Sequence, residues 1–483
     1  MPIAHGVSNY FRFSSPCPAH IQLGDMSENP RRTIGSAFTD PDDIRARFSR
    51  ALSRMYRAEV PQYGALIALV SEINAAVLAD RDDLRRAMHD AGELARLAEE
   101  RHGAIRLGTA AELAMIGRAF AVMGMTPVGY YDLAPAGVPV HSTAFRPVET
   151  ASLQHNSFRV FTSLLRLELI EDPALRQEAA ETLARRDIFI PEAKRLIQLA
   201  ETRGGLTDEE ADAFVAAVLE TFRWHSEATV SASTYRHLVQ AHRLVADVVS
   251  FRGPHINHLT PRTLDIDLAQ AAMPRFGMSP KETIEGPPAR RCPILLRQTS
   301  FKALQEPVAF VSDDDRTEGV HTARFGEIEE RGAALTPAGR SLYDALLAAD
   351  RDGNDRFGEF PDDWTTLRRE ALAWFRYRIA PNPAPSILDA TTDLETLIAE
   401  GQVEALPIIY EDFLPVSAAG IFRSNLGSEA GDAFAARSDR DAFEEALGRP
   451  VLDEMALYEA EQTRSIEAVR LALTKAPGVR EDA

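Results

Sequence analysis

The sequence has 483 residues, 45% of them hydrophobic, which is enough for about two or three ordinary domains or for one large elaborated domain. Its formal net charge is −19, and this acidity argues against nucleic acid or an anionic membrane surface as a partner. An anionic substrate would therefore need a local group of arginine side chains, because the overall field of the protein repels it.

The cysteine content and the absence of export signals indicate a cytoplasmic protein. Cys17 and Cys292 cannot form a disulfide framework, which fits a reducing compartment. The N-terminus shows no basic segment followed by an apolar one, so no secretory signal is predicted. No uninterrupted apolar run reaches about 18 residues, and we expect no helix to span a membrane. The sequence does not indicate an oligomeric state.

The first elements in chain order are a disordered extension and a group of helices. Residues 1–40 lack hydrophobic periodicity and are rich in Ser, Pro and Asn, so we predict that they are disordered. Residues 41–100 carry apolar side chains at three- and four-residue steps, with Asp at the predicted starts, which is typical of helices.

A strand–helix–strand unit follows. We predict a strand over His102–Leu107 and a helix that begins with a capping box formed by Thr109 and Glu112 and stops at Gly124. The segments PVGYYDL and VPVHSTAFRPV are rich in aromatic and β-branched residues and predict two further strands.

The middle of the chain is predicted to change from helical to extended. Residues 155–245 are mostly helical in pattern, with a second capping box formed by Thr207 and Glu210. From about Val245 the pattern VADVVSF is extended. Strands are then predicted in PILLRQTSFKAL, PVAF and HTARFGEIEERG, with residues 313–316 as a hairpin tip.

The C-terminal third is predicted to be mixed. Thr336 caps a helix that has Pro337 in its first turn, and a second helix runs to about Tyr377. The segment LPIIYEDFLPVSAAGIF is extended in pattern, and residues 439–475 are helical. We therefore predict an α+β protein with one elaborated domain over residues 41–483. Its mixed β-sheet core, mainly residues 102–145 and 245–330, is wrapped by many helices.

Two histidines stand close together in the segment RGPHINHLTPRTLDID, namely His255 and His258. Neutral imidazole is the commonest metal ligand, so this segment could contribute to a metal site. The alternative is that both are polar residues of a surface loop, and the spacing alone does not decide between the two.

A third histidine is paired with an arginine in the first predicted strand. His102 and Arg106 are four residues apart, which places both side chains on one side of an extended segment. A metal ligand and a guanidinium facing one cavity would suit a metal-bound organic acid. The alternative is an exposed histidine beside an arginine in a surface ion pair.

The segment HTARFGEIEERG offers the acidic candidates Glu327, Glu329 and Glu330. In a strand Phe325, Glu327 and Glu329 share a face, and a carboxylate beside an inward-facing Phe is costly unless it is paired or binds metal. Two histidines and one carboxylate form the facial triad of non-haem Fe(II) oxygenases. The alternative is an exposed acidic edge strand, which fits Glu329 or Glu330 better than Glu327.

Other histidines remain weaker candidates. His237 and His242 are five residues apart in a helical pattern and are interpreted as surface or core-rim residues, whereas no role is assigned to His141, His225 or His321. The sequence contains no G-x-S-x-G, no Walker-type phosphate loop, no C-x-x-C and no H-E-x-x-H. These absences argue against common hydrolases, nucleotide kinases and zinc proteases.

Several long segments carry a family resemblance: HGAIRLGTAAEL, MGMTPVGYYDL, GVPVHSTAFRPV, FRVFTSLLRLELI, GPHINHLTPRTLDID, PILLRQTSFKAL and HTARFGEIEERG. Together they resemble the 2-oxoadipate dioxygenase/decarboxylase family, whose members are also called 2-hydroxyglutarate synthases. The resemblance extends from about Asp43 to at least Phe422 and leaves the first 40 residues outside it.

The resemblance implies a fold related to the vicinal oxygen chelate superfamily, with Fe(II) as the cofactor. It implies that His102, His258 and Glu327 are the metal ligands and that His255 lies outside the metal shell. Arg106 would bind the substrate carboxylate. In LPVSAAG, Val416 and Ser417 would line the substrate pocket.

The implied reaction converts 2-oxoadipate and O2 into 2-hydroxyglutarate and CO2, as a step of lysine breakdown. The substrate would be a small 2-oxo dicarboxylate that chelates the iron through its 1-carboxylate and 2-keto oxygen. Two alternatives remain open at this point. One is a related metal-dependent enzyme that acts on a different 2-oxo acid, and the other is a non-catalytic protein that binds metal or a metabolite.

Overall fold

The computed structural model describes residues 38–90, 93–312, 315–351, 356–381, 392–414 and 439–475, all of which belong to one compact unit, Phe38–Ala483. Nearly all of the predicted disordered extension, residues 1–40, lies outside the described residues, and so do Val416 and Ser417.

Strands and helices alternate irregularly along the chain. The strands are β1 (Glu100–Leu107), β2 (Thr126–Asp132), β3 (Val140–Arg146), β4 (Arg159–Leu165), β5 (Glu227–Ala228), β6 (His258–Pro261), β7 (Leu296–Ser300), β8 (Gln305–Ser312), β9 (Asp315–Thr322), β10 (Phe325–Arg331), β11 (Phe375–Ile379) and β12 (Val403–Pro407). The helices are α1 (Pro41–Glu59), α2 (Pro61–Asp80), α3 (Asp82–Asp90), α4 (Ala110–Val122), α5 (Thr150–His155), α6 (Pro173–Ala184), α7 (Pro191–Arg203), α8 (Asp208–Leu219), α9 (Ala232–Ala241), α10 (Arg243–Val249), α11 (Ile266–Ala272), α12 (Pro337–Arg351), α13 (Trp364–Arg369), α14 (Leu394–Ala399), α15 (Arg440–Leu447) and α16 (Glu454–Lys475).

A seven-stranded mixed sheet organises the protein, with the strand order β2-β3-β4-β1-β6-β10-β7. At its centre β1 pairs parallel to β4 and antiparallel to β6, and β6 pairs parallel to β10. Smaller sheets are formed by β11 with β12 and by β5, β8 and β9. The α+β prediction, a mixed sheet wrapped by many helices, is confirmed.

One strand of this sheet was not predicted from the sequence. Residues 155–245 are mostly helical, as predicted, with helices α6 to α10, but Arg159–Leu165 forms β4, in which every residue is buried. A strand buried on both faces lacks the alternation of polar and apolar residues, so its periodicity cannot distinguish it from a buried helix. The aromatic and β-branched residues of FRVFTSLL are the signal that favours a strand.

Two further predictions are wrong. The segment VADVVSF, predicted to be extended, belongs mostly to helix α10, whose residues Leu244–Val249 are all buried and so show no amphipathic pattern. The helix predicted to reach Tyr377 ends at Arg369, where α13 stops. Ala371 then takes a positive φ of 51°, which breaks the helix before β11 begins.

Of the predicted helix N-caps, two are confirmed in full and one in part. Thr207 and Glu210 form the complete capping box. The Thr109 hydroxyl accepts from the Glu112 amide at 3.2 Å, but the Glu112 carboxylate instead accepts from the amide of Gly108 at 2.8 Å. The Thr336 cap is confirmed, because its hydroxyl accepts a hydrogen bond from the Gly339 amide at 3.1 Å.

The predicted hairpin is confirmed, because β8 and β9 pair antiparallel with Ser312 opposite Asp315. Two details are wrong: Asp315 and Arg316 of the predicted tip belong to β9, and HTARFGEIEERG is divided between the end of β9 and β10. The connecting residues 313 and 314 of the hairpin lie outside the described part of the chain. The helical tail is confirmed as α15 and α16.

Among the described helices α2 is long and apolar enough to cross a membrane, by length and composition alone. The helix instead buries one stripe of side chains in the main core, formed by Tyr63, Leu66, Leu69, Val70 and Ile73. This packing is that of a core helix.

Helices α1 and α2 cover one face of the sheet at β6 and β10. Leu259 and Ile328 lie in the same apolar cluster as the side chains of these helices. A Cβ on Gly326 would lie 2.7 Å from Leu66 and 2.5 Å from Phe301, so glycine is required for this close approach. The alternate residues of β6 and β10 therefore face the opposite side, where the polar residues lie.

Candidate metal centre

The structure brings His102, His258 and Glu327 together on three adjacent strands. One donor atom of each side chain lies within 4.8 Å of the other two, and all three side chains are buried. The register places Thr260 opposite His102, and Phe325 opposite His258. Residues paired across a sheet point to the same face, which explains how positions so distant in sequence converge.

The Thr260 side chain lies between two of the candidate ligands. Its hydroxyl is 3.1 Å from Nε2 of His102 and donates to Oε1 of Glu327 at 3.2 Å. Nε2 of His102 is 2.9 Å from the same carboxylate oxygen. The Gln298 amide also donates to this oxygen, at 2.5 Å. These contacts fix the direction of the Glu327 carboxylate.

His258 supplies the test of whether a cation fits here. Among the described residues neither of its ring nitrogens has a hydrogen-bond partner, and the same holds for Oε2 of Glu327. Buried polar atoms are normally satisfied, so orphaned donor atoms beside a buried carboxylate and a second imidazole fit a divalent metal. The ring of Phe325 stacks on His258 at 4.8 Å and restricts its orientation.

Glu329 lies behind His102 and contradicts its interpretation as an exposed edge residue. Its carboxylate is fully buried and accepts from Nδ1 of His102 at 2.8 Å. The Arg331 guanidinium donates to the same carboxylate at 3.0 Å. A carboxylate on one ring nitrogen directs the other nitrogen toward a metal, so Glu329 is suited to orient His102.

The electrostatics of the pair His102 and Glu327 suit exchange of a proton for a cation. Burial acts to lower the pKa of His102, but hydrogen bonds to Glu327 and Glu329 raise it above its ordinary value. Burial raises the pKa of Glu327. A divalent ion needs neutral imidazole and ionised carboxylate, so its binding would displace any proton that this pair holds.

The pKa values of His258 and Glu329 are both lowered, whereas those of His102 and Glu327 are raised. Burial and the charge of His102 hold the pKa of His258 well below its usual value. Burial acts to raise the pKa of Glu329, but Arg331 and His102 hold it well below its usual value. His258 is therefore a neutral imidazole and Glu329 an anion, as a ligand and its supporting carboxylate must be.

Arg106 lies on the same face of β1 as His102, as predicted, four residues further along the strand. The small Ala104 stands between them and is paired with His258. The Arg106 guanidinium donates to Asp247 at 2.7 Å, and its charge contributes to the lowered pKa of His258. Arg106 is thus near the candidate ligands and held by an acidic partner that the sequence did not identify.

The remaining histidines lie elsewhere. His255 belongs to a separate cluster with Asp247 and His321. His141 is buried beside Tyr130. His237 is exposed and His242 half-buried, as predicted.

The sequence interpretation missed Thr260, Gln298 and Arg331. Thr260 could have been found, because it follows His258 by two residues and shares its face of the strand. Gln298 could not have been found from the sequence, since its position beside Glu327 depends on the register between β7 and β10.

A cavity of about 1030 Å³ lies apart from the three candidate ligands. Its lining includes Glu93, Arg146, Arg262 and Glu411. Arg146 pairs with Asp412 at 2.7 Å, and Arg262 pairs with Glu93. Because these charges are neutralised within the protein, the cavity does not compete with the histidine cluster as the candidate site.

Comparison with known proteins identifies the family of this chain. The sequence model of the 2-oxoadipate dioxygenase/decarboxylase family matches residues 48–425. The 2-oxoadipate dioxygenase/decarboxylase of Escherichia coli is 57% identical over 436 residues, which cover 88% of this chain and 97% of that protein. The protein of the same name from Pseudomonas putida is 56% identical over 456 residues, covering 90% and 98%.

The structural similarity is equally extensive. The crystal structure of the hydroxyglutarate synthase from Pseudomonas putida in complex with 2-oxoadipate has a TM-score of 0.83 and 54% identity. The match covers 91% of this chain and 100% of that chain. Since the family model spans more than half of the sequence and these relatives cover nearly all of the described fold, the chain belongs to the 2-oxoadipate dioxygenase/decarboxylase family.

Proposed function

We propose that the protein is an Fe(II)-dependent dioxygenase/decarboxylase that converts 2-oxoadipate and O2 into 2-hydroxyglutarate and CO2 in the cytoplasm. Two histidines and one glutamate on one sheet face, with buried donor atoms that lack protein partners among the described residues, carry the proposal. Relatives that bear the name 2-oxoadipate dioxygenase/decarboxylase give the substrate. The buried, free Cys292 agrees with a reducing compartment.

The proposed metal ligands are His102, His258 and Glu327. This donor set suits Fe(II) and leaves coordination positions open, although other divalent metals accept the same donors. Bound iron would supply the activation of O2 and the polarisation of the 2-oxo acid. No external reductant is needed: oxidative decarboxylation provides two electrons and conversion of a C–H bond into the new hydroxyl provides two more, so both atoms of O2 are retained in the products.

The protein side chains would position the substrate and keep water out. Glu329 holds the His102 ring through Nδ1, and Arg106 is the proposed partner of a substrate carboxylate. The ring of Phe413 packs edge-on against His102 at 4.9 Å, and Phe325 covers His258. Apolar walls of this kind strengthen electrostatic contacts by excluding water. Val416 and Ser417 remain predicted pocket residues outside the described part of the chain.

The first prediction tests the reaction. Purified protein loaded anaerobically with Fe(II) should consume O2 with 2-oxoadipate and release 2-hydroxyglutarate and CO2 in equal amounts. The control is 2-oxohexanoate, which has the same length but lacks the distal carboxylate, and we expect slower turnover with it. Faster turnover of a shorter or branched 2-oxo acid would reassign the substrate, and binding without any turnover would reject the enzymatic function.

The second prediction tests the metal ligands. His102→Ala, His258→Ala and Glu327→Ala should each lose bound iron and activity, because each removes one of three donors. His255→Ala is the matched control, since it removes a buried histidine three residues from His258 and should keep most of its iron. Metal analysis and melting temperature are measured together. Loss of iron from His255→Ala, with iron retained in His258→Ala, would reverse the assignment.

The third prediction concerns Arg106. A hydrogen bond between charged groups is worth roughly 1.5–3 kcal/mol, so Arg106→Ala should lower kcat/KM for 2-oxoadipate at least about tenfold. Iron content should not change. Arg106→Lys should restore only part of the rate, because an ammonium does not match the planar carboxylate.

Comparison of two substrates locates the contact made by Arg106. A smaller penalty with 2-oxohexanoate than with 2-oxoadipate places Arg106 at the distal carboxylate. An equal penalty with both substrates places it at the 1-carboxylate, near the metal. Wild-type kinetics in Arg106→Ala would remove this residue from the site.

A further inference from the structure

A second buried cluster joins Asp247, His255 and His321 beside the candidate metal centre. Nε2 of His321 is 2.9 Å from Oδ1 of Asp247, and Nε2 of His255 is 3.2 Å from the same oxygen. The three side chains are between 3% and 5% exposed. Two histidines and a carboxylate also form this cluster, so its chemistry has to be distinguished from that of a metal site.

The charge arrangement disfavours a cation at this position. The Arg106 guanidinium already donates to Oδ2 of Asp247 at 2.7 Å, and the Asn257 amide lies 3.4 Å from the same atom. A divalent ion on Oδ1 would stand beside a guanidinium held on the same carboxylate, and like charges in a buried site repel strongly. In the candidate metal centre, by contrast, neither ring nitrogen of His258 has a hydrogen-bond partner among the described residues. In the second cluster Nε2 of both histidines already lies against Asp247, and Nδ1 of His255 is the one ring nitrogen without a partner in the described structure.

The contacts instead form a chain that ends on Arg106. The Tyr235 hydroxyl is 2.9 Å from Nδ1 of His321, whose Nε2 faces Asp247. The ring of Phe251 packs against His321 at 4.6 Å. Tyr235 and Phe251 thus restrict the imidazole, and the imidazole restricts the carboxylate.

Asp247 has the charge that this arrangement requires. Burial acts to raise its pKa, but His255, His321 and Arg106 hold the pKa well below its usual value. The ionised carboxylate and the guanidinium form a nearly buried pair, in which the Arg106 side chain is 11% exposed. A buried pair of this kind restricts both partners to one geometry, because breaking it leaves an uncompensated charge.

We propose that Asp247 is a positioning residue that fixes the Arg106 guanidinium for the substrate carboxylate, and that His321 and Tyr235 orient Asp247 in turn. This inference rests on the proposed function, in which Arg106 binds 2-oxoadipate. Asp247 acts through Arg106, because its polar contacts in the described structure go to Arg106, Asn257 and two histidines outside the proposed metal ligands. Its effect is on substrate selection, because a guanidinium held in place binds a carboxylate with less loss of side-chain freedom.

The test is Asp247→Asn, which keeps the shape of the side chain and removes its charge. We expect the KM for 2-oxoadipate to rise at least about tenfold with kcat changed by less than about threefold, since orientation of a binding group is lost and not a reacting group. The iron content should stay near wild type, and the KM for 2-oxohexanoate should change only if Arg106→Ala changes it too, because Asp247 acts through Arg106. In the Arg106→Ala background, Asp247→Asn should add less than about twofold, because the two residues act as a unit.

A milder pair of variants keeps the test decisive if Asp247→Asn does not fold. Tyr235→Phe removes the hydroxyl on His321 and should raise the same KM by about two- to threefold, as expected for loss of one neutral hydrogen bond. Tyr130→Phe is the matched control, because it removes a hydroxyl that lies 3.4 Å from Nδ1 of His141, outside the chain that ends on Arg106. It should leave the KM unchanged.

The outcomes separate this inference from the proposed function. Wild-type KM values in both Asp247→Asn and Tyr235→Phe, with Arg106→Ala impaired, would overturn the positioning role and leave the function intact. Wild-type kinetics in Arg106→Ala would instead reject the proposed role of Arg106. Loss of a second equivalent of metal from Asp247→Asn would show that the cluster is a metal site and would also overturn the inference.

Discussion

The pairing of strands β1, β6 and β10 is the constraint on which the site depends. It sets His102, Thr260 and Glu327 side by side on one face, while Leu259 and Ile328 face the helices on the other. A glutamate with no exposed surface is costly unless an opposite charge or a metal compensates it. The same alternation that builds the apolar core therefore concentrates polar donors in one place and makes a cation the natural complement.

Glu329, the second buried carboxylate of β10, has a different role from Glu327 because an arginine neutralises it. Glu327 and Glu329 share a face of one strand, and two buried anions there would repel each other. Arg331 neutralises Glu329 and also donates to the carbonyls of Tyr410 and Asp412, at 2.8 and 2.9 Å. The anion on Glu329 is thus fixed and can orient His102, whereas Glu327 keeps an oxygen without a partner among the described residues.

The sequence predicted the features that are local and missed those that depend on register. Strand β1 and the shared face of His102 and Arg106 follow from a short segment and the two-residue period of a strand. Strand β4 was not predicted, because both of its faces are buried and its sequence shows no alternation of polar and apolar residues. The supporting role of Glu329 was missed because it depends on which strand lies beside β10 and on an arginine two residues further along the chain. Family resemblance, and not spacing, separated His258 from His255.

The location of bound iron tests the account most directly. Crystals of the Fe(II)-loaded protein can be measured at the iron absorption edge, where an anomalous difference map shows the metal alone. The account predicts one peak in contact with Nε2 of His102, a ring nitrogen of His258 and a carboxylate oxygen of Glu327, at about 2.0–2.2 Å from each. A peak between Asp247, His255 and His321, or none at the first cluster, would contradict it.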